Sequence, residues 1–323
     1  MNRLHTLKQG LRVGLETTWI LGKVIFPVTL IVTVLSYTPV IDWVVRWCTP
    51  VMSWIGLPGE ASIPFVLANL LNLYAGIGAI LTLDLTVKEV FILAVMMSFS
   101  HNLLIESAVA KKVGVSMTVA VAVRLGLAFV SAFLIHLIWQ GGDQPARYGF
   151  IPAQAEAELT GWGAVVWEGL QTAGIGVLQL AAVVIPLMIM IEWLKAVNVL
   201  ERFNVWMRPL TKLLGLSPNT SVTLGAGLVF GLAFGAGVII QQFKEENISK
   251  KDMYLLFIFL VACHAVIEDT LIFVPLGIPV WPLLVARLVI AILLTMLIAF
   301  IWNRLERNKQ LAYRTENEVQ HDV

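Results

Sequence analysis

The stretch SFSHNLLIESAVAKKVGVS, residues 98–116, places a histidine, a glutamate and two lysines in the middle of a strongly apolar chain. Residues 261–279, VACHAVIEDTLIFVPLGIP, repeat the same order of residue types. Sliding the chain over itself by 163 residues superimposes the two without a gap: His101 falls on His264, Glu106 on Asp269, Ser107 on Thr270, Gly114 on Gly277, Arg124 on Arg287 and Trp139 on Trp302. An offset of 159 extends the match toward the N-terminus, with Pro27 on Pro186, Trp47 on Trp206, Pro50 on Pro209, Gly56 on Gly215, Gly76 on Gly235 and Gly78 on Gly237. Leucine and valine coincidences mean little here, but His, Arg, Trp, Pro and Gly recurring in order mark a tandem duplication. The difference between the offsets is absorbed near the charged QQFKEEN at 241–247, where an insertion is tolerated.

Of the 323 residues, 58% are hydrophobic and 13% charged, and the mean hydropathy is +0.84. Such a composition places the chain in a membrane. Eight apolar stretches stand out, at 18–40, 61–83, 90–109, 116–139, 173–193, 220–241, 253–272 and 281–303. A net charge of +1 and the absence of a basic-aromatic motif give no reason to expect nucleic acid. The two cysteines, Cys48 and Cys263, lack CxxC spacing, and no GxxxxGK[ST] loop is present, so neither a structural metal framework nor an ATP-driven motor is encoded. No cofactor is expected. Without a cleavage site before the first apolar run, the basic start with Arg3, Lys8 and Arg12 reads as a retained cytoplasmic end.

Loop charges then predict orientation. The N-terminus is basic, residues 141–168 carry four acids against Arg147, and the chain after 303 begins with Arg304, Arg307 and Lys309, which reads inside, outside, inside in a bacterial-type inner membrane. Each copy must therefore cross an odd number of times although it has four apolar stretches. The stretches 61–83 and 220–241, with Gly76/Gly78 and Gly235/Gly237, are expected to enter and return as re-entrant hairpins. The predicted architecture is all-α: two inverted-topology repeats, each of three transmembrane helices, one re-entrant helical hairpin and an interfacial amphipathic helix (41–56 and 195–215). Its divisions are a first repeat at 1–145, a periplasmic linker at 146–165, a second repeat at 166–305 and a cytoplasmic polar tail at 306–323.

Ionisable residues inside crossings are costly and mark pairs or sites. Glu106 lies eight residues before Gly114 and Arg124 ten after it, and Asp269 and Arg287 flank Gly277 in the same way. If the glycines are turns between antiparallel helices, each acid meets its arginine at one depth in a buried ion pair. That pair either locks a hairpin or serves proton coupling. His101 and His264 fall mid-crossing, and in an inverted repeat symmetry-related residues meet near one point. Imidazole there can bind a polar solute, exchange protons or ligate a metal. His101 and Glu106 lie about 140° apart on a regular helix, so they share an ion only if the helix unwinds. Glu268, four residues after His264, shares its face, making His101, His264 and Glu268 the metal alternative.

The paired hairpins followed by SHNLLIESAVAKKVG (100–114) and CHAVIEDTLIFVPLG (263–277) resemble the nucleoside-recognition, or Gate-domain, membrane proteins, a group similar to spore-maturation membrane proteins and the permease part of ferrous-iron transporters. The resemblance covers most of 15–305 and implies a permease whose hairpins converge on the substrate site. The expected function is an ion-coupled secondary transporter, not an enzyme, carrying a small polar or anionic solute through a midplane site. His101, His264, Asn102, Gly76, Gly78, Gly235, Gly237, Arg124 and Arg287 are expected to surround the solute, and Glu106, Asp269 and Glu268 to carry the coupling proton. Divalent-metal transport and a non-transporting scaffold assembled with a membrane-protein partner or a second copy are the alternatives.

Overall fold

The computed structural model describes residues 3–148, 161–196, 207–234 and 248–321. The described residues form helices and short turns: α1 (Arg3–Ser36), α2 (Pro39–Trp54), α3 (Ser62–Leu70), α4 (Leu73–Ile80), α5 (Val87–Phe99), α6 (Leu103–Lys112), α7 (Met117–Ile138), α8 (Trp162–Ala196), α9 (Ser221–Phe234), α10 (Lys250–Ala262), α11 (Glu268–Leu271) and α12 (Val280–His321). Among the described residues, three spans are long and apolar enough to cross a membrane: Val87–Lys112, Met117–Ile138 and Val280–Gln310. The first lies in the interior. The other two turn rows of large side chains outward, among them Phe133, Leu137, Leu293 and Phe300, as helices facing lipid do.

Element boundaries recur at the two sequence offsets. The turns Gly59–Ala61 and Pro218–Thr220 are 159 residues apart, as are the starts of α1 and α8 and of α3 and α9; α5 and α10 coincide at both ends at 163. Local chemistry explains the agreement. Thr86 caps α5 and exchanges hydrogen bonds with Glu89, and at the corresponding place Ser249 caps α10 beside Asp252. Positive φ angles recur too, at Gly56 and Gly215 (both 72°), Gly114 and Gly277 (86° and 68°), and Asn102 and Ala265 (46° and 42°). The first two pairs need glycine because a Cβ is disfavoured in that region. Asn102 and Ala265 carry one nonetheless, and both sit in breaks described below.

Helices α1 and α8 pack along each other in opposite directions. A Cβ added at Gly10 would fall 2.6 Å from Ile189 Cα, one at Gly14 2.9 Å from Ile185 Cα, and one at Gly22 3.2 Å from a Val177 methyl. Gly10 and Gly14, four residues apart, let the backbones approach closely, the small-residue device of membrane helix pairs.

α3 and α4 form a helical hairpin in the 61–83 stretch, with the reversal at Leu71 and Asn72 and Asn72 capping α4 through Ala75 N–H. Gly76 lies in the stem: a Cβ there would fall 2.8 Å from both the Ala68 Cβ and the Pro64 carbonyl oxygen of the facing arm. Gly76 therefore permits close packing of the arms, and Gly76 and Gly78, expected to make the reversal possible, both lie within α4 and not at the turn. In the second copy the position equivalent to Asn72 is Gly231, which breaks α9 with φ 76°. Gly235 and Gly237 lie outside the described residues, as do residues 197–206 of the interfacial helix expected at 195–215. Its counterpart α2 exposes Trp43, Trp47 and Trp54, and its latter part turns 93° into the hairpin arm. α12 continues unbroken to His321, so the expected polar tail extends the last helix.

The stretches 90–109 and 253–272, read as continuous crossings, are each broken. α5 ends at Phe99 and α6 begins at Leu103; α10 ends at Ala262 and α11 begins at Glu268. The freed backbone groups are met by other segments, as a non-helical stretch in the membrane requires. Asn102 N–H donates to the Ala68 carbonyl (2.9 Å), and Ala265 N–H to the equivalent Gly227 carbonyl (3.1 Å). An arm of the first hairpin and the corresponding helix α9 thus dock on the two breaks.

Candidate functional site

The two breaks bring their histidines together. His101 and His264 are buried with ring centroids 5.2 Å apart. Each ring is anchored in the same way, by Nδ1 at 2.7 Å from the Met97 carbonyl and at 2.8 Å from the Leu260 carbonyl. A carbonyl oxygen only accepts, so Nδ1 carries the hydrogen in both rings. In the neutral ring, Nε2 then presents a lone pair.

Both expected ion pairs form. Arg124 Nη1 is 2.7 Å from Glu106 Oε2, and Arg287 Nη2 is 3.1 Å from Asp269 Oδ2. Both guanidiniums are fully buried, and each also repairs its break: Arg124 Nε donates to the Phe99 carbonyl (3.0 Å) and Arg287 Nη2 to the His264 carbonyl (2.9 Å). A cation at the C-terminal end of α5 also meets the negative end of that helix's dipole.

The carboxylates reach past the arginines to the imidazoles. Glu106 Oε1 is 3.5 Å from His101 Nε2 and 3.3 Å from His264 Nε2, while Asp269 Oδ2 is 3.9 Å and 3.8 Å from them. Glu106 meets His101 because the helix unwinds at residues 100–102; the 140° separation holds only for a regular helix. The two imidazole Nε2 atoms and two carboxylates thus converge on one point, and His264 Nε2 finds no hydrogen-bond partner among the described residues. Such an arrangement has the donor atoms to accept a proton or a metal ion.

Among the described residues, the group able to hold a metal is His101, His264 and Asp269, with ligand atoms within 4.8 Å of one another. Asp269 thus replaces Glu268 in the expected triad. Glu268 points elsewhere: its Oε1 accepts from Tyr74 Oη at 2.5 Å, tying the first hairpin to the second broken helix. The buried Tyr74 was missed in sequence, although a buried phenol normally implies a partner for its hydroxyl. Asn102 contributes its backbone to the break, while Ser100 Oγ donates to Asn69 Oδ1 at 2.6 Å, joining the break to the hairpin. An apolar cavity of about 310 Å³ lies elsewhere, lined by Phe91, Leu134, Ile135, Ile138, Trp139, Pro279 and Pro282.

A family model described as Gate, nucleoside recognition, matches residues 18–127 and 177–279, two stretches whose starts are 159 residues apart like the first halves of the repeats. The chain is 61% identical over 295 residues to the uncharacterized membrane protein YvoD of Bacillus subtilis (strain 168), covering 91% of this chain and 94% of that protein. No solved structure matches.

Proposed function

The chain belongs to the Gate family of nucleoside-recognition membrane proteins, and on that premise we propose that it is a cation-coupled permease that alternates access to a site between two inverted repeats. The observation that carries this reading is the convergence of His101, His264, Glu106 and Asp269 from two broken helices onto one buried point. Broken helices with midplane ionisable groups are the construction by which secondary transporters hold their coupling ions. In support of the inverted arrangement, α1 and α8 occupy equivalent places in the two repeats and run antiparallel. Loop charge favours cytoplasmic N- and C-termini.

The charge arrangement favours a cation at the cluster over an anionic solute. Arg124 and Arg287, the groups that would greet an anion, are engaged by Glu106 and Asp269 and by backbone carbonyls. We read the arginines as neutralising the acids when the cation is absent, so that the empty carrier can reorient without moving naked charge through lipid. A polar solute, on this reading, enters between the hairpins and the histidine breaks when one side opens. We read a carrier rather than an enzyme because the cluster's acids are held by guanidiniums.

Full-length protein in liposomes tests the proposal. Uptake from a panel of small polar solutes should follow an imposed proton or cation gradient and fall at least about tenfold in His101→Gln/His264→Gln. Folded wild-type protein that moves nothing across the panel under any gradient would sink the permease reading.

A further inference from the structure

Deepening the reading of the same cluster, we propose that His101 Nε2, His264 Nε2 and the carboxylates of Asp269 and Glu106 form a binding site for a divalent first-row transition-metal ion such as Zn²⁺ or Fe²⁺. A tetrahedral ion with arms of about 2.05 Å holds its ligand atoms about 3.3 Å apart. The Glu106 oxygen already stands 3.5 and 3.3 Å from the two imidazole nitrogens, and the Asp269 oxygen 3.9 and 3.8 Å. The ligand atoms of His101, His264 and Asp269 all lie within 4.8 Å of one another, so side-chain shifts of up to about 1.5 Å close the set around a tetrahedral ion.

Orientation is the stronger argument. A histidine that ligates a metal typically donates its other ring N–H to a backbone carbonyl or carboxylate, and ligating carboxylates are themselves held by hydrogen bonds. The first feature is present twice and the second once. Met97 and Leu260 carbonyls take the Nδ1 hydrogens, turning both Nε2 lone pairs inward; Asp269 Oδ2 accepts a hydrogen bond from Arg287, and Glu106 is held by its ion pair with Arg124. Glu106 divides its oxygens, with Oε2 toward Arg124 and Oε1 toward the histidines. His264 Nε2, buried and without a hydrogen-bond partner among the described residues, points into the cluster.

A set of two imidazoles and two carboxylates suits borderline ions and does not suit Mg²⁺ or Ca²⁺, which favour oxygen shells. The two arginines oppose a divalent ion, so the site is built for exchange: the ion is cargo or coupling ion and not a permanent structural element.

Co²⁺ serves as the probe because its visible absorption reports tetrahedral nitrogen–oxygen coordination. The full chain, purified in detergent through a histidine-free tag, should bind one Co²⁺ with that spectrum, release it to Zn²⁺ and ignore Mg²⁺. His101→Gln and His264→Gln should each weaken Co²⁺ binding at least about tenfold while the melting transition persists. Asp269→Asn should do the same but leaves Arg287 unpaired, so the histidine variants decide if it fails to fold. Absence of saturable Co²⁺ or Zn²⁺ binding by folded protein, or binding unchanged in His101→Gln/His264→Gln, overturns the proposal. Liposome uptake is scored separately. Metal binding without uptake of any cargo leaves the site standing and removes the permease, whereas gradient-driven solute uptake without metal binding does the reverse.

Discussion

Replacing Arg124 by glutamine removes a fully buried cation. The side chain is fully buried, 2.7 Å from Glu106 Oε2, and its Nε satisfies the Phe99 carbonyl at the helix break. Removing one partner of a buried ion pair strands the other charge and costs about 3–5 kcal/mol. At about 1.4 kcal/mol per decade, that lowers the folded-to-unfolded ratio by about two to four orders of magnitude. Glu106→Gln should cost a similar amount because it strands Arg124. The double variant leaves neither charge, retains only the loss of the Phe99 hydrogen bond, about 1.5–3 kcal/mol, and should be far more stable than the sum of the singles. The assay is equilibrium unfolding in mixed micelles followed by tryptophan fluorescence, arranged as a double-mutant cycle. A coupling energy of at least about 2 kcal/mol is expected. Additivity within about 0.5 kcal/mol would refute the argument, since independent sites behave that way.

Further substitutions probe other parts of the fold. Gly10→Ala should destabilise by about 1–3 kcal/mol through its clash with the Ile189 backbone, whereas Gly126→Ala, with nothing within 4 Å, should be neutral or slightly stabilising; thermal melts compare them. Ala265→Gly relieves a residue at φ 42° and should stabilise by up to about 1 kcal/mol, and Ala265→Val should destabilise. Tyr74→Phe deprives Glu268 of its hydrogen bond and should cost about 1–3 kcal/mol, read by the same unfolding assay. In a background lacking Cys48 and Cys263, Lys111→Cys and Val274→Cys should be labelled by an impermeant thiol reagent from opposite faces of the membrane; labelling from one face would contradict inverted repeats.

The duplication was legible in sequence because rare residues recur at constant spacing, and spacing survives folding: the caps at Thr86 and Ser249 and the turns at Gly114 and Gly277 depend on local chemistry alone. The ion pairs were legible for the same reason, since counting residues from a turn gives the depth of each side chain on two adjoining helices. The breaks at 100–102 and 263–267 were not, because apolar residues resume beyond both and the groups that stabilise the breaks are distant in sequence. Ala68 and Gly227 carbonyls, reached only after the hairpins dock, take the freed N–H groups, and Arg124 and Arg287 take carbonyls. The partner of Tyr74 and the displacement of Glu268 by Asp269 likewise depend on which way a side chain leaves an unwound backbone. Sequence by itself therefore determined the membrane class, the two copies and their paired charges. Tertiary structure decided that the helices open where the histidines stand, because an open backbone in an apolar interior persists only when another part of the chain supplies its hydrogen bonds.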